Sequence, residues 1–305
     1  MADRSISLEA GAARVEIAPD VGGALASFRW RGRELLRPTP DTARIARDVR
    51  KFGCYPLVPY SNRIADAALH TREGTIYDLM RNFGDHPHAI HGVGWQRPWS
   101  VATRAPTKVL LTMEHRPDGE TAQAWPFAFR AAQSFSLDTR SANATLTLTL
   151  QIENTDTRAF PFGLGWHPFF PRDSETQLGF SADGVWRTDS TGLPTRHDAV
   201  PDVWRFDPPR TIAAPLDNVF TGWPGRASIV WLQRALELTI EAEPTCNFLV
   251  VYIPRGQDYF AVEPVTHMTD AFNRYARGAR GTGTRLIGPA QTHCATMRLV
   301  ASLIS

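Results

Sequence analysis

Two residues in this chain carry the chemistry most plainly. Glu263 closes the apolar run 259–262 and is followed by Pro264, a residue that central strands exclude for want of an N–H. A carboxylate at a strand end among aromatics is where a general base with a tuned pKa can sit. The plainer alternative is a solvated strand-end glutamate. His167 lies between Gly163-Leu164-Gly165-Trp166 and Pro168-Phe169-Phe170, an apolar and aromatic setting. There it reads as a hydrogen-bonded core histidine or as a catalyst. A carboxylate and an imidazolium, with ordinary pKa values of about 4.3 and 6.5, suit a reaction that removes one proton and adds another. For both charged forms to coexist near neutrality, His167 must hold its proton more tightly than Glu263, which a nearby carboxylate favours.

Three further segments stand out: 59–64 (Pro-Tyr-Ser-Asn-Arg-Ile), where polar residues end an apolar stretch, 86–92 (His-Pro-His-Ala-Ile-His-Gly) and 217–220 (Asp-Asn-Val-Phe). Arg63 offers a rigid donor fork and Asp217 two acceptor oxygens, which together can read a vicinal diol. His86, His88 and His91 invite a metal test, since imidazole suits zinc, copper or iron. Asp85 is the one carboxylate close in sequence and Pro87 interrupts the His-x-His pair, so no metal site is expected. Gly163-Leu164-Gly165 has no following Lys-Ser/Thr and opens no helix, unlike a phosphate loop. No Gly-x-Ser-x-Gly elbow or catalytic cysteine context is present.

Composition narrows the partners. Hydrophobic residues at 43% and charged residues at 21% are those of a soluble globular protein. The net charge of +2 is near balance, and the arginines are scattered, with Lys51 and Lys108 the only lysines. This argues against nucleic acid and against a polybasic membrane surface. The N-terminal Met-Ala-Asp-Arg-Ser-Ile carries charge where a secretory signal needs an apolar stretch. Cys54, Cys246 and Cys294 are far apart and odd in number, as in a reduced, cytoplasmic protein with buried thiols.

These side chains must be positioned by strands. Residues 145–150 read Thr-Leu-Thr-Leu-Thr-Leu, a strict period of two with one buried face. Similar segments are 14–17, 109–113, 129–137, 228–232, 236–240 and 297–301, separated by Gly, Pro and Asp turn signals. Helical periodicity is confined to 41–50 and 269–275. No low-complexity linker or internal repeat divides the chain. The expectation is an all-β fold, one large antiparallel β-sandwich over residues 1–305 with few short helices.

Taken together and in order, Asn62-Arg63-Ile64, His91-Gly92, His167-Pro168-Phe169-Phe170, Asp217-Asn218-Val219-Phe220 and Val262-Glu263-Pro264 resemble the motifs of the aldose 1-epimerase (galactose mutarotase-like) family. Gly74, Tyr77, Leu79 and Trp99 are similar to further positions of that family, so the likeness runs over nearly the whole chain. The resemblance implies a galactose mutarotase-like supersandwich with a sugar in an open cleft, no cofactor, and interconversion of the α and β anomers of an aldose. On the matching positions it implies Glu263 as general base and His167 as general acid. Arg63, His91 and Asp217 would hold sugar hydroxyls or assist at the ring oxygen. The family includes members acting on hexose 6-phosphates and other anionic sugars, so neutral and anionic aldoses both stay open. The partner expected is a small sugar; the oligomeric state is left open. Trp95, Trp99 and Trp166 could face a sugar ring, although core packing suits them equally. Two rivals remain: a glycoside hydrolase, which needs two carboxylates roughly 5–10 Å apart, and a non-catalytic sugar-binding sandwich.

Overall fold

The alternation of buried and partly exposed positions extends beyond the threonine–leucine run 145–150, over the whole strand Asn143–Asn154. Its leucines, with Ile152, are wholly buried, while the threonines between them stay partly exposed. A period of two on a pleated backbone can do nothing else when one face meets a core. In this computed structural model, which describes residues 5–140, 142–213 and 215–304, the same rule builds two large sheets. The N-terminal residues 1–4, read above for a targeting signal, lie outside the described residues.

One sheet has nine strands in the order Ser100–Ala105, Lys108–His115, Phe129–Arg140, Asn143–Asn154, Thr292–Leu303, Leu236–Ala242, Arg226–Trp231, Gln177–Phe180 and Phe206–Thr211. The other has eleven, and its middle carries Cys54–Leu57, Gly165–Pro171, Tyr259–Val265, Phe248–Ile253 and Leu216–Thr221 side by side. All named strands pair antiparallel. The inner faces of both sheets join one apolar core. Trp231 ties them: its indole N–H donates to the Pro171 carbonyl at 2.8 Å, inside that core.

The expected strands are all present, most of them longer than the alternating segment alone indicates. The expected helix at 41–50 stops at Ala46, because Arg47 takes the left-handed conformation (φ 54°), and a 3₁₀ turn Val49–Lys51 follows. The other short helix runs Ala271–Ala276. Two readings need correction. Pro264 does not end its strand: Tyr259–Val265 runs through it in the middle of the sheet. On the Gly165–Pro171 side the pairing skips from Gly165–Val265 to Phe169–Ala261, leaving Pro264 in the gap, while on the other side Pro264 lies opposite Leu249. Cys54 and Cys246 are buried free thiols as expected, but Cys294 is exposed.

The tie between the sheets gives the first expected outcome. Trp231→Phe keeps most of the ring but leaves the buried Pro171 carbonyl without its donor, a loss of about 1–3 kcal/mol. Urea denaturation should show that drop with an unchanged m-value; an unaltered midpoint would mean that the bond contributes nothing.

Candidate active site

The five adjacent strands in the middle of the larger sheet determine which side chains meet. The pairs Gly165–Val265 and Phe169–Ala261 place His167 opposite Glu263. His167 lies opposite Tyr55 on its other side, Glu263 opposite Val250, and Asp217 opposite Tyr252. Since side chains on one strand alternate between faces, Phe169 joins His167, and Tyr259 joins Glu263, on the same side. The residues between them, Trp166, Phe170, Phe260 and Val262, point the other way and are wholly buried in the core. The result is a cleft of about 230 Å³ whose walls include Arg37, Tyr55, Asn62, Arg63, His91, His167, Phe169, Asp217, Tyr252, Tyr259 and Glu263. The structure therefore brings together all five side chains singled out in the sequence.

At the floor, His167 Nε2 lies 3.2 Å from Glu263 Oε1, with 7% and 2% of the two residues exposed. Burial pushes the Glu263 carboxyl well above the usual carboxylate range, and the charge of Asp217 adds to this while Arg63 opposes it. Burial likewise pushes His167 well below the usual imidazole range, helped by His91 and Arg37. Both shifts run toward the uncharged forms, against the expectation that an imidazolium and a carboxylate coexist here, because burial of each group is the largest influence on it.

The far nitrogen of His167, Nδ1, is buried and bonds no other residue; only the residue's own backbone favours its protonation. Stacking holds the ring instead. Phe169 lies against it with centroids 4.3 Å apart and planes 28° apart, and Tyr55 packs near the ring at 4.8 Å. Arg37 covers the outer side of Phe169, with Cζ 3.8 Å from the ring centre and 4.4 Å from that of Tyr259. Its Nη2 donates to the carbonyls of Arg50 (2.7 Å) and Phe52 (2.9 Å).

Arg63 rises from the short strand Arg63–Ile64, which pairs with Ala89–Ile90. Its Nη2 donates to Asp217 Oδ2 at 3.2 Å and its Nη1 to Asn62 Oδ1 at 2.9 Å. His91 follows the pairing strand. It accepts the Asn62 N–H at Nδ1 (2.9 Å) and donates its own N–H to the Asn62 carbonyl (2.9 Å). Burial, then Arg63, lowers its pKa to about 3, so His91 is neutral and keeps its proton on Nε2. Arg63, Asp217 and His91 thus offer a donor fork, two acceptor oxygens and one N–H donor around a single space.

Sequence reasoning missed Arg37, Tyr55, Tyr252 and Tyr259 as cleft residues. Tyr259 had a signal, since it stands four residues before Glu263 on one strand and must share its face. Tyr55 and Arg37 had none, because they arrive through pairings with distant segments. Trp95, Trp99 and Trp166 are 2%, 3% and 0% exposed and belong to the core. His88 and His91 use Nδ1 to accept backbone N–H groups. Among the described residues no three His, Cys, Asp or Glu side chains are grouped so as to hold a metal ion.

Comparison with known proteins agrees with the motif order. The family model described as aldose 1-epimerase matches residues 4–282. The chain is 30% identical over 278 residues to YphB of Escherichia coli K12, an uncharacterised protein, covering 88% of this chain and 90% of that one. It is similar to a crystal structure from E. coli K12 assigned provisionally as an aldose 1-epimerase, with TM-score 0.86, 26% identity, and 98% and 99% of the two chains covered. A galactose mutarotase-like protein from Clostridium acetobutylicum shares the fold at TM-score 0.85 and 20% identity, over 98% of this chain and 95% of that one.

The buried carboxyl makes a prediction about stability. Glu263 has a folded-state pKa raised above its ordinary value of 4.5, so the stability it contributes is present below about pH 4.5 and is lost as pH rises through the folded pKa. Glu263→Gln cannot lose a proton. Its stability relative to the parent protein should therefore increase as pH rises above about 4.5. Denaturant midpoints measured in parallel from pH 4.5 to 9 check this; a constant difference would show that Glu263 ionises in the folded protein as freely as in the unfolded chain.

Proposed function

Since the chain belongs to the aldose 1-epimerase family, we propose that it is a mutarotase that opens and recloses an aldose ring through the His167–Glu263 pair. The observation that carries this reading is the 3.2 Å contact between a buried imidazole and a buried carboxyl at the floor of a cleft lined with sugar-reading groups. In the sugar-free state the proton sits on Glu263. A bound sugar brings hydroxyls between the two side chains, which replace their direct contact and solvate both. The proton then passes to His167, leaving a carboxylate beside Arg63 and an imidazolium beside the ring oxygen.

Ring opening follows from that ionised form. Glu263 takes the proton of the C1 hydroxyl, the O1 electrons form the carbonyl, the C1–O5 bond breaks, and O5 takes the proton from His167 Nε2. Rotation about C1–C2 and the reverse transfers close the ring with the opposite configuration. Only proton transfers are required, so the chemistry needs no cofactor. Each positioned transfer contributes about 10²–10⁴ in rate. Arg63, Asp217 and neutral His91 hold hydroxyls, which fixes C1 over the pair. Anionic aldoses belong in any substrate screen, because Arg37 lines the cleft and makes no ion pair among the described residues.

The test is anomer exchange measured by NMR or polarimetry across neutral and anionic aldoses. Glu263→Gln keeps shape and removes basicity, and should lower kcat by at least about 10²-fold; His167→Asn should cost a similar factor. The parent should show a bell-shaped profile whose limbs belong to the pair, the acid limb lying below pH 6.5 because burial lowers His167. A folded Glu263→Gln protein that exchanges anomers at the parent rate would refute the mechanism. Sugar binding without exchange in the parent would favour a binding module, and release of an aryl aglycone would favour a hydrolase.

A further inference from the structure

Arg63 reaches Asp217 across a long stretch of sequence, and an unconfined arginine has too many rotamers to stand ready for a hydroxyl. Something must hold it. Behind its guanidinium stands the turn at residues 189–193, which joins the strands Gly184–Thr188 and Pro194–Ala199. At Gly192 (φ +83°) the backbone lies flush against the arginine. A Cβ there would stand 2.6 Å from Arg63 Cζ, 2.7 Å from Nε and 2.9 Å from Nη1. No side chain at 192 is compatible with Arg63 where it stands. Nε of Arg63 is buried against this wall without a hydrogen-bond partner, so contact and not bonding confines it on that side.

The turn itself is fixed. Asp189 Oδ1 accepts from the Thr191 N–H (2.8 Å), the Thr191 hydroxyl (2.7 Å) and the Leu193 N–H (3.0 Å). Having given its proton to Asp189, the Thr191 hydroxyl accepts from His88 Nε2 at 3.0 Å. His88 is 2% exposed and accepts the Asp66 N–H at Nδ1 (2.9 Å). Asp66 lies three residues beyond Arg63. The hairpin turn is thus pinned to the same backbone segment that carries the arginine, and the two can move only together.

We propose that the 189–193 turn is a positioning device for the sugar-reading arginine, with Gly192 as the residue that sets the guanidinium against Asp217 and Thr191–His88 as its anchor. This rests on the reading of Arg63 as a hydroxyl donor in the mutarotase. Gly192 touches no substrate; it acts through Arg63. A side chain added at 192 meets the far end of a flexible residue, so the arginine yields and leaves Asp217.

Gly192→Ala should therefore raise KM by about 10–10²-fold, and lower kcat by a smaller factor because the displaced guanidinium no longer favours the Glu263 carboxylate. Gly74→Ala is the control for backbone strain, with the same sign of φ (+86°) and nothing within 4 Å of the added carbon; its KM should equal the parent's. In an Arg63→Ala background, Gly192→Ala should raise KM no further. If Gly192→Ala fails to fold, Thr191→Val serves instead. It frees the turn from His88 and should raise KM in the same direction by a smaller factor. A crystal structure of the variant reads the proposal without activity: Arg63 displaced from Asp217 supports it. Arg63 in place, or an unchanged KM in an active protein, or a full effect in the Arg63→Ala background, overturns it. Absence of anomer exchange in the parent would count against the mutarotase reading and leave the structural readout to decide this one.

Discussion

His167 and Glu263 meet at 3.2 Å where almost no water reaches, and neither can be charged there alone without a large desolvation cost. Sharing one proton resolves this: the pair is neutral as a unit, and internal transfer changes where the charges sit without changing their sum. The cleft around it is arranged on the same terms. Asp217 disfavours the Glu263 carboxylate and Arg63 favours it, while His91 and Arg37 disfavour the imidazolium. On the proposed mechanism, a sugar that hydrogen-bonds both members would have to offset this shared preference for the uncharged forms.

Because Nδ1 of His167 bonds no other residue, the ring is oriented largely by surfaces. Phe169 and Tyr55 flank it, and the Arg37 guanidinium lies over Phe169. The usual device for a catalytic imidazole is a carboxylate or carbonyl on its second nitrogen, which raises basicity as well as fixing direction. Stacking fixes direction alone, and burial lowers the basicity of the ring. The two large sheets supply the rigidity. Alternate residues on each central strand pack into the core, so the cleft-facing residues between them have little room to move.

The fold was legible because alternation survives any choice of partner strand. The leucines at 146, 148 and 150 read as a buried face without knowledge of what they pack against, and the strand Asn143–Asn154 follows. The site was legible only as fragments. His167 and Glu263 announced themselves by placing polar groups in apolar company, and their motifs in order gave the family. That they face each other depends on register between strands almost a hundred residues apart, which no local pattern encodes. Pro264 misled for the same reason, since a proline is excluded from a central strand only where its N–H would be used, and the skipped pairing beside His167 removes that demand. The shift of both groups toward their uncharged forms followed from burial, a property of the assembled cleft.

The central claim is that the sugar-free pair holds its proton on Glu263 and gives it to His167 when an aldose binds. Infrared difference spectroscopy near neutral pH reads this directly, with Glu263→Gln used to assign the band. The account predicts a protonated carboxyl signal in the free protein that is absent from the variant and converts to carboxylate when sugar is added. A carboxylate already present in the free protein and unchanged by sugar would contradict it.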